Sequence, residues 1–122
     1  MDVSRYFDKK ELICQCGCET CEMQPHFLEA LDQLREDWGK PIVLSSAYRC
    51  PDYNDKISSS GRDGAHVLGV AADIRVDRKN AYELLKLAIP RFNGIGINQK
   101  GTGRFIHLDL KTGNLRPTIW SY

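Results

Sequence analysis

Between Gln24 and Gly39 apolar residues recur at helical spacing. Phe27, Leu28, Leu31, Leu34 and Trp38 form one stripe, leaving Glu29, Asp32, Arg35 and Glu36 for solvent. Pro25 suits a first turn and Gly39 an end, so the pattern predicts a core helix with His26 solvated at its start. Asn80 reads as the N-cap of a second helix, with Glu83 in the capping-box position. Ala81, Leu84, Leu85 and Ala88 give that helix an apolar face, and Pro90 stops it. Elsewhere the pattern shortens to strand-like runs: PIVLSS (Pro41–Ser46), Val70–Val76, GIGIN (Gly94–Asn98) and Phe105–Leu110, the last two joined by a hairpin-like turn over Gln99–Gly103. Phe7–Ile13 predicts a short helical turn capped by Asp8, and AYRCPDYN, residues 47–54, reads as a turn.

These elements predict a small α+β domain: a central, largely antiparallel sheet with ligand residues on one face and both helices on the other. At 122 residues the chain is expected to be one domain, with a cysteine-containing segment (1–24) leading into a core (25–122). Seventeen basic residues against sixteen acidic suggest neither a nucleic-acid surface nor an acidic tail. No apolar run approaches the roughly 18 residues of a membrane span, and MDVSRYFDKK lacks the apolar core of a secretory signal. The expectation is synthesis in the cytoplasm, with a separate route out if the substrate lies beyond the membrane.

Cys14, Cys16, Cys18 and Cys21 crowd into CQCGCETC, and Cys50 stands apart in YRCP. Without a leader, reduced thiols come first, since cytosolic disulfides are rare. An oxidised pair after release comes second, and a second zinc third, because C-x-C-x-C-x2-C is tighter than the usual structural-zinc spacing.

The richest stretch is GAHVLGVAADIRV, Gly64–Val76. His66 and Asp73 flank small residues in a turn feeding a buried strand, and Asp73 falls inside VAADIRV, where an ionised carboxylate is costly unless paired or metal-bound. His107, one of only three histidines, lies in the second alternating run RFIHLDL. Two imidazoles and a carboxylate would leave a fourth zinc position open, as catalysis needs. The plainer alternative is a satisfied histidine and a turn-capping aspartate. Arg49 either pairs with a carboxylate of the chain, beside a packed Tyr48, or forks with Tyr48 onto an acidic or C-terminal substrate. Asp109 shares a strand face with His107, either towards the metal or orienting the imidazole from behind.

With His66, Gly69, Ala71 and Asp73 in this spacing, SAYRCPDYN upstream and FIHLDL downstream, the chain resembles the zinc D-Ala-D-Ala carboxypeptidase family of metallopeptidases. The likeness is strongest to its small bacteriophage and bacterial murein hydrolases, which have a hedgehog-like zinc peptidase fold, and it spans about Phe7 to Trp120. The resemblance implies Zn2+ held by His66, Asp73 and His107, a substrate-facing Arg49, and Arg116 and Trp120 docking the tail. It further implies a peptidoglycan stem peptide or cross-link as substrate, and a phage or prophage lysis role acting on the cell wall after release. Two departures stand out. Gly64 occupies the place of a common family serine, and Phe105 and Arg104 stand where an acidic residue or histidine usually precedes the last ligand. Asp109 is then the nearest candidate base, and Arg104 the candidate to stabilise the oxyanion. An inactive zinc-containing module that binds cell-wall peptides is the alternative, since the related hedgehog domain keeps such a site. A structural metal protein organised by the cysteines is a third reading.

Overall fold

The computed structural model describes residues 4–122; the first three residues of the N-terminal stretch judged to lack a secretory signal fall outside them. The elements in chain order are α1 (Lys9–Leu12), α2 (Pro25–Trp38), β1 (Leu44–Ser46), α3 (Pro51–Ile57), a 3-10 turn (Gly61–Asp63), β2 (Ala71–Arg75), α4 (Arg78–Ala88), β3 (Gly94–Asn98), β4 (Phe105–Asp109) and β5 (Thr118–Ser121). The strands form one α+β sheet in the order β1-β2-β4-β3-β5, antiparallel except where β5 lies parallel to β3.

Strand alternation divides the sheet into two faces. Ala72 and Ile74 on β2, Ile106 and Leu108 on β4 and Ile95 on β3 are buried, and they share a core cluster with Phe27, Leu28, Leu31 and Leu34 of α2 and Leu84 and Ala88 of α4. Each such leucine contributes roughly 1.5–3 kcal/mol by leaving water. Phe7, Leu12, Cys14 and Met23 join the same cluster, so residues 4–24 are stitched into the core. The other face carries Asp73, His107, Asp109, Gly94 and Gly96. On it Asp73 sits opposite His107, Gly94 opposite Asp109 and Gly96 opposite His107.

The glycines of GIGIN make room. A Cβ on Gly94 would lie 2.4 Å from the Asp109 carboxylate, and one on Gly96 2.6 Å from the Trp120 indole. Trp120 therefore reaches over Gly96 to His107, with ring centroids 5.1 Å apart.

Several local expectations are corrected. Pro51 opens α3 where a turn was expected; proline at N1 serves a helix as readily as a turn. Helix α4 begins two residues before Asn80, behind Asp77, and that cap has no side-chain hydrogen bond. Asp32 is buried: its carboxylate accepts from the Ser4 hydroxyl at 2.6 Å and the Arg5 N–H at 2.9 Å. The first strand shrinks to Leu44–Ser46, with an irregular register against β2. The tail after Pro117 is the fifth strand. By contrast, Asp8 caps α1 in a full capping box, and Gly39 ends α2 at φ 73°.

Candidate functional site

His66, Asp73 and His107 converge from a loop and two adjacent strands. All three are buried, and each offers a ligand atom within 4.8 Å of the others. The turn at 64–69 that delivers His66 is fixed by Gly69, whose φ is 77° and whose Cβ, if it had one, would lie 2.0 Å from the Glu22 carbonyl. Gly69 in turn accepts the Gln24 N–H at 2.9 Å. The strand pairing brings Asp73 and His107 face to face, 3.0 Å from carboxylate Oδ1 to Nδ1.

Partners of the imidazoles define what the cluster can hold. His66 Nδ1 lies 2.6 Å from the Ala47 carbonyl oxygen. A carbonyl only accepts, so this nitrogen carries the proton. His66 Nε2 lies 3.3 Å from Asp73 Oδ1, an approach in which a cation could stand between the two. His107 Nε2 donates to Asp109 Oδ2 at 2.7 Å, turning its Nδ1 towards the same Asp73 oxygen. Two outward nitrogens tied to acceptors and two inward nitrogens meeting one carboxylate oxygen form a donor set that suits Zn2+.

Arg49 closes the far side. Its guanidinium donates to Ser46 Oγ at 3.0 Å, Asn54 Oδ1 at 3.0 Å and Asp73 Oδ2 at 3.2 Å, leaving one N–H on each terminal nitrogen. Asn54 is fully buried and also donates to the Gly61 carbonyl at 2.5 Å and to Ser60 Oγ at 2.9 Å, so the Arg49 perch is built from α3 and the 3-10 turn. A Cβ on Gly64 would sit 2.2 Å from Ser60 Oγ: a hydroxyl from position 60 occupies the space beside residue 64.

The charges are strongly biased. Burial alone would raise the carboxyl pKa of Asp73, but hydrogen bonds and charge interactions with His107 and His66 outweigh it and hold the group well below the usual range. Burial would likewise raise Asp109, yet His107 and Arg116 bring it down to about 2. For His107 burial acts downward, and the bonds to Asp109 and Asp73 prevail, raising its pKa.

A cleft of about 410 Å³ opens over the cluster, lined also by Arg49, Ser58–Ser60, Lys111, Arg116, Trp120 and Tyr122. Of the other residues singled out from sequence, Asp109 is fully buried behind His107. It accepts the Arg116 fork at 3.0 and 2.8 Å and the Lys111 N–H at 3.1 Å. Tyr48 is 3% exposed and packs in the core; neighbours on an extended chain face opposite ways, and Arg49 took the cleft side. Arg104 lines a different hollow with Trp38, Lys40 and Asn80 and donates to the Gly101 carbonyl. Trp120 and Tyr122 were missed as cleft residues. The alternation in TIWSY is the signal that could have found them, once that segment is placed as a strand.

An open cleft over two imidazoles and a carboxylate, on one face of a mostly antiparallel sheet, is the kind of centre a metal-dependent hydrolase uses. The chain belongs to the Peptidase M15 family, whose model matches residues 5–109, and the peptidases of that family are zinc-dependent. No curated protein and no solved structure matches the chain. No helix of the described residues is long and apolar enough to cross a membrane.

Proposed function

We propose that the protein is a zinc peptidase cleaving stem peptides or cross-links of peptidoglycan, with His66, Asp73 and His107 as ligands. The observation that carries this is the meeting of His66 Nε2 and His107 Nδ1 at one Asp73 oxygen beneath an open cleft. Zn2+ bound there would polarise the scissile carbonyl and lower the pKa of water towards 7.

The chain's own groups divide the remaining work. The two uncommitted N–H groups of Arg49 receive a substrate carboxylate in a planar fork. Ala47 and Asp109 hold the protons of His66 Nδ1 and His107 Nε2, keeping both inward nitrogens free as donors to the metal. Asp109 thus acts as a positioning residue rather than the base, since its oxygens are taken by His107, Arg116 and Lys111. Tyr122, which burial keeps protonated by raising its pKa, offers its phenolic proton from the cleft wall, the role first expected of Arg104. Action on the cell wall, as a phage or prophage lysis enzyme, is part of this proposal.

Incubating the protein with murein and identifying the cleaved bond by mass spectrometry tests the reading. Cleavage should vanish with chelator and in His107→Ala; cleavage indifferent to chelator overturns it. The second reading, an inactive zinc module that binds cell-wall peptides, draws on the burial of Asp109, which removes the nearest candidate base. Murein binding without any product would favour that module.

A further inference from the structure

A second cluster lies outside the cleft. Cys14, Cys16, Cys18 and Cys50 each offer a sulfur, and all four sulfurs lie within 4.8 Å of one another. The Cys14–Cys16 separation is 3.5 Å and the Cys16–Cys50 separation 3.7 Å. Four thiolates at the corners of a tetrahedron with Zn–S bonds of about 2.3 Å stand about 3.8 Å apart, and these two separations are close to that. The fold assembles this shell deliberately. Cys14 N–H to the Thr20 carbonyl (2.8 Å) closes the loop, and Gly17 (φ 98°) and Glu19 (φ 61°) turn it back. Tyr48 N–H to the Leu12 carbonyl (3.1 Å) and Gln15 Nε2 to the Ser45 carbonyl (2.7 Å) pin it beside β1. Cys50 caps α3 and points its backbone N–H at Cys14 Sγ, 3.3 Å away, which ties the two sulfur-bearing segments together. Cys21 lies outside the group, so the fourth sulfur comes from the distant Cys50 instead of completing the run in CQCGCETC.

We propose that these four cysteines bind a second zinc ion, a structural one. Soft thiolates select Zn2+ over Mg2+ or Ca2+, each ligating thiol releases its proton, and four protein ligands leave no position for substrate. The ion fastens the 14–20 loop to the turn that carries Arg49, the residue adjacent to Cys50. It holds in place the guanidinium that reaches Asp73. The inference does not depend on the peptidase reading.

The test uses the full chain purified with reductant and without chelator. Zinc content should be about two ions per chain in the wild type, and about one in both Cys16→Ser/Cys18→Ser and His66→Ala/His107→Ala. Cobalt loading should give a strong thiolate-to-metal charge-transfer band in the wild type and in the histidine variant, and none in the cysteine variant. Cys16 and Cys18 are exposed, which favours folding of that variant; if it does not fold, the wild-type cobalt spectrum decides. No charge-transfer band in the wild type, equal zinc in the wild type and the cysteine variant, or an intact mass two hydrogens light for each oxidised cysteine pair overturns the proposal. Failure of the peptidase centre would instead show as zinc unchanged by the histidine substitutions.

Discussion

Replacing Asp109 with asparagine separates a residue that moves a proton from one that aims an imidazole. In the structure all four contacts of the carboxylate are acceptor contacts: Oδ1 takes Lys111 N–H and Arg116 Nε, and Oδ2 takes His107 Nε2 and Arg116 Nη2. An amide can serve only half of them. With its NH2 towards His107, the imidazole must switch tautomer, placing a proton on Nδ1 where the metal should bind. With its NH2 towards Lys111, it opposes a backbone N–H and the Arg116 Nε. Loss of such an outer partner typically lowers metal affinity 10–100-fold, or about 1.4–2.7 kcal/mol. One lost charge-assisted hydrogen bond should also cost the fold about 1.5–3 kcal/mol. Zinc affinity by competition with a chromophoric chelator and turnover at saturating zinc are the two readouts. The expected result is weakened zinc binding, with turnover at saturating metal within about tenfold of wild type. Unchanged affinity with turnover reduced beyond about 100-fold would refute the positioning role and return Asp109 to the part of base.

In the metal-free protein the raised pKa of His107 means that its bonds to Asp73 and Asp109 stabilise fully below the unfolded value near 6.5, and that this contribution is lost as pH rises through the higher folded value. Proton and metal compete for Nδ1, so zinc affinity should climb through that same window; an affinity that does not rise as pH is taken upward from the unfolded value would contradict it. Gly69→Ala forces a left-handed alanine, at a cost of about 1–2 kcal/mol, against the Glu22 carbonyl; chemical denaturation should show at least that loss, and an unaltered midpoint would sink the assignment. Arg49→Lys removes the planar fork, so KM for a substrate ending in a carboxylate should rise about 10–100-fold while an amidated substrate changes little; equal effects on both would disprove carboxylate recognition.

Much of the site follows from strand alternation. His107 and Asp109 had to share a face, and an aspartate inside VAADIRV had to find a partner, so the convergence of Asp73 and His107 was legible once the strands were placed. Whether an outward imidazole nitrogen meets a carbonyl or a carboxylate was not, because Ala47 and Asp109 act through tertiary approach. Tyr48 and Arg104 were misplaced for the same reason: adjacency along the chain says little about sharing a cavity when successive residues face opposite ways. Strand β5 escaped notice because Thr118, Ile119 and Ser121 are exposed and give no core-facing signal, although Trp120 packs over His107 of the histidine–aspartate cluster. Cys50 could not be joined to CQCGCETC without knowing that β1 runs beside the N-terminal loop.

The direct opposition of Asp73 and His107 across β2 and β4 would tie capture of the proposed zinc to correct folding. Sliding either strand by a single step would turn Asp73 or His107 to the aliphatic side, so a mispaired chain would lose the proposed ligand set and gain nothing from zinc. Zinc bound at the proposed site would thereby act as a proofreader, rewarding the one alignment of these two ribbons in which the core is also filled.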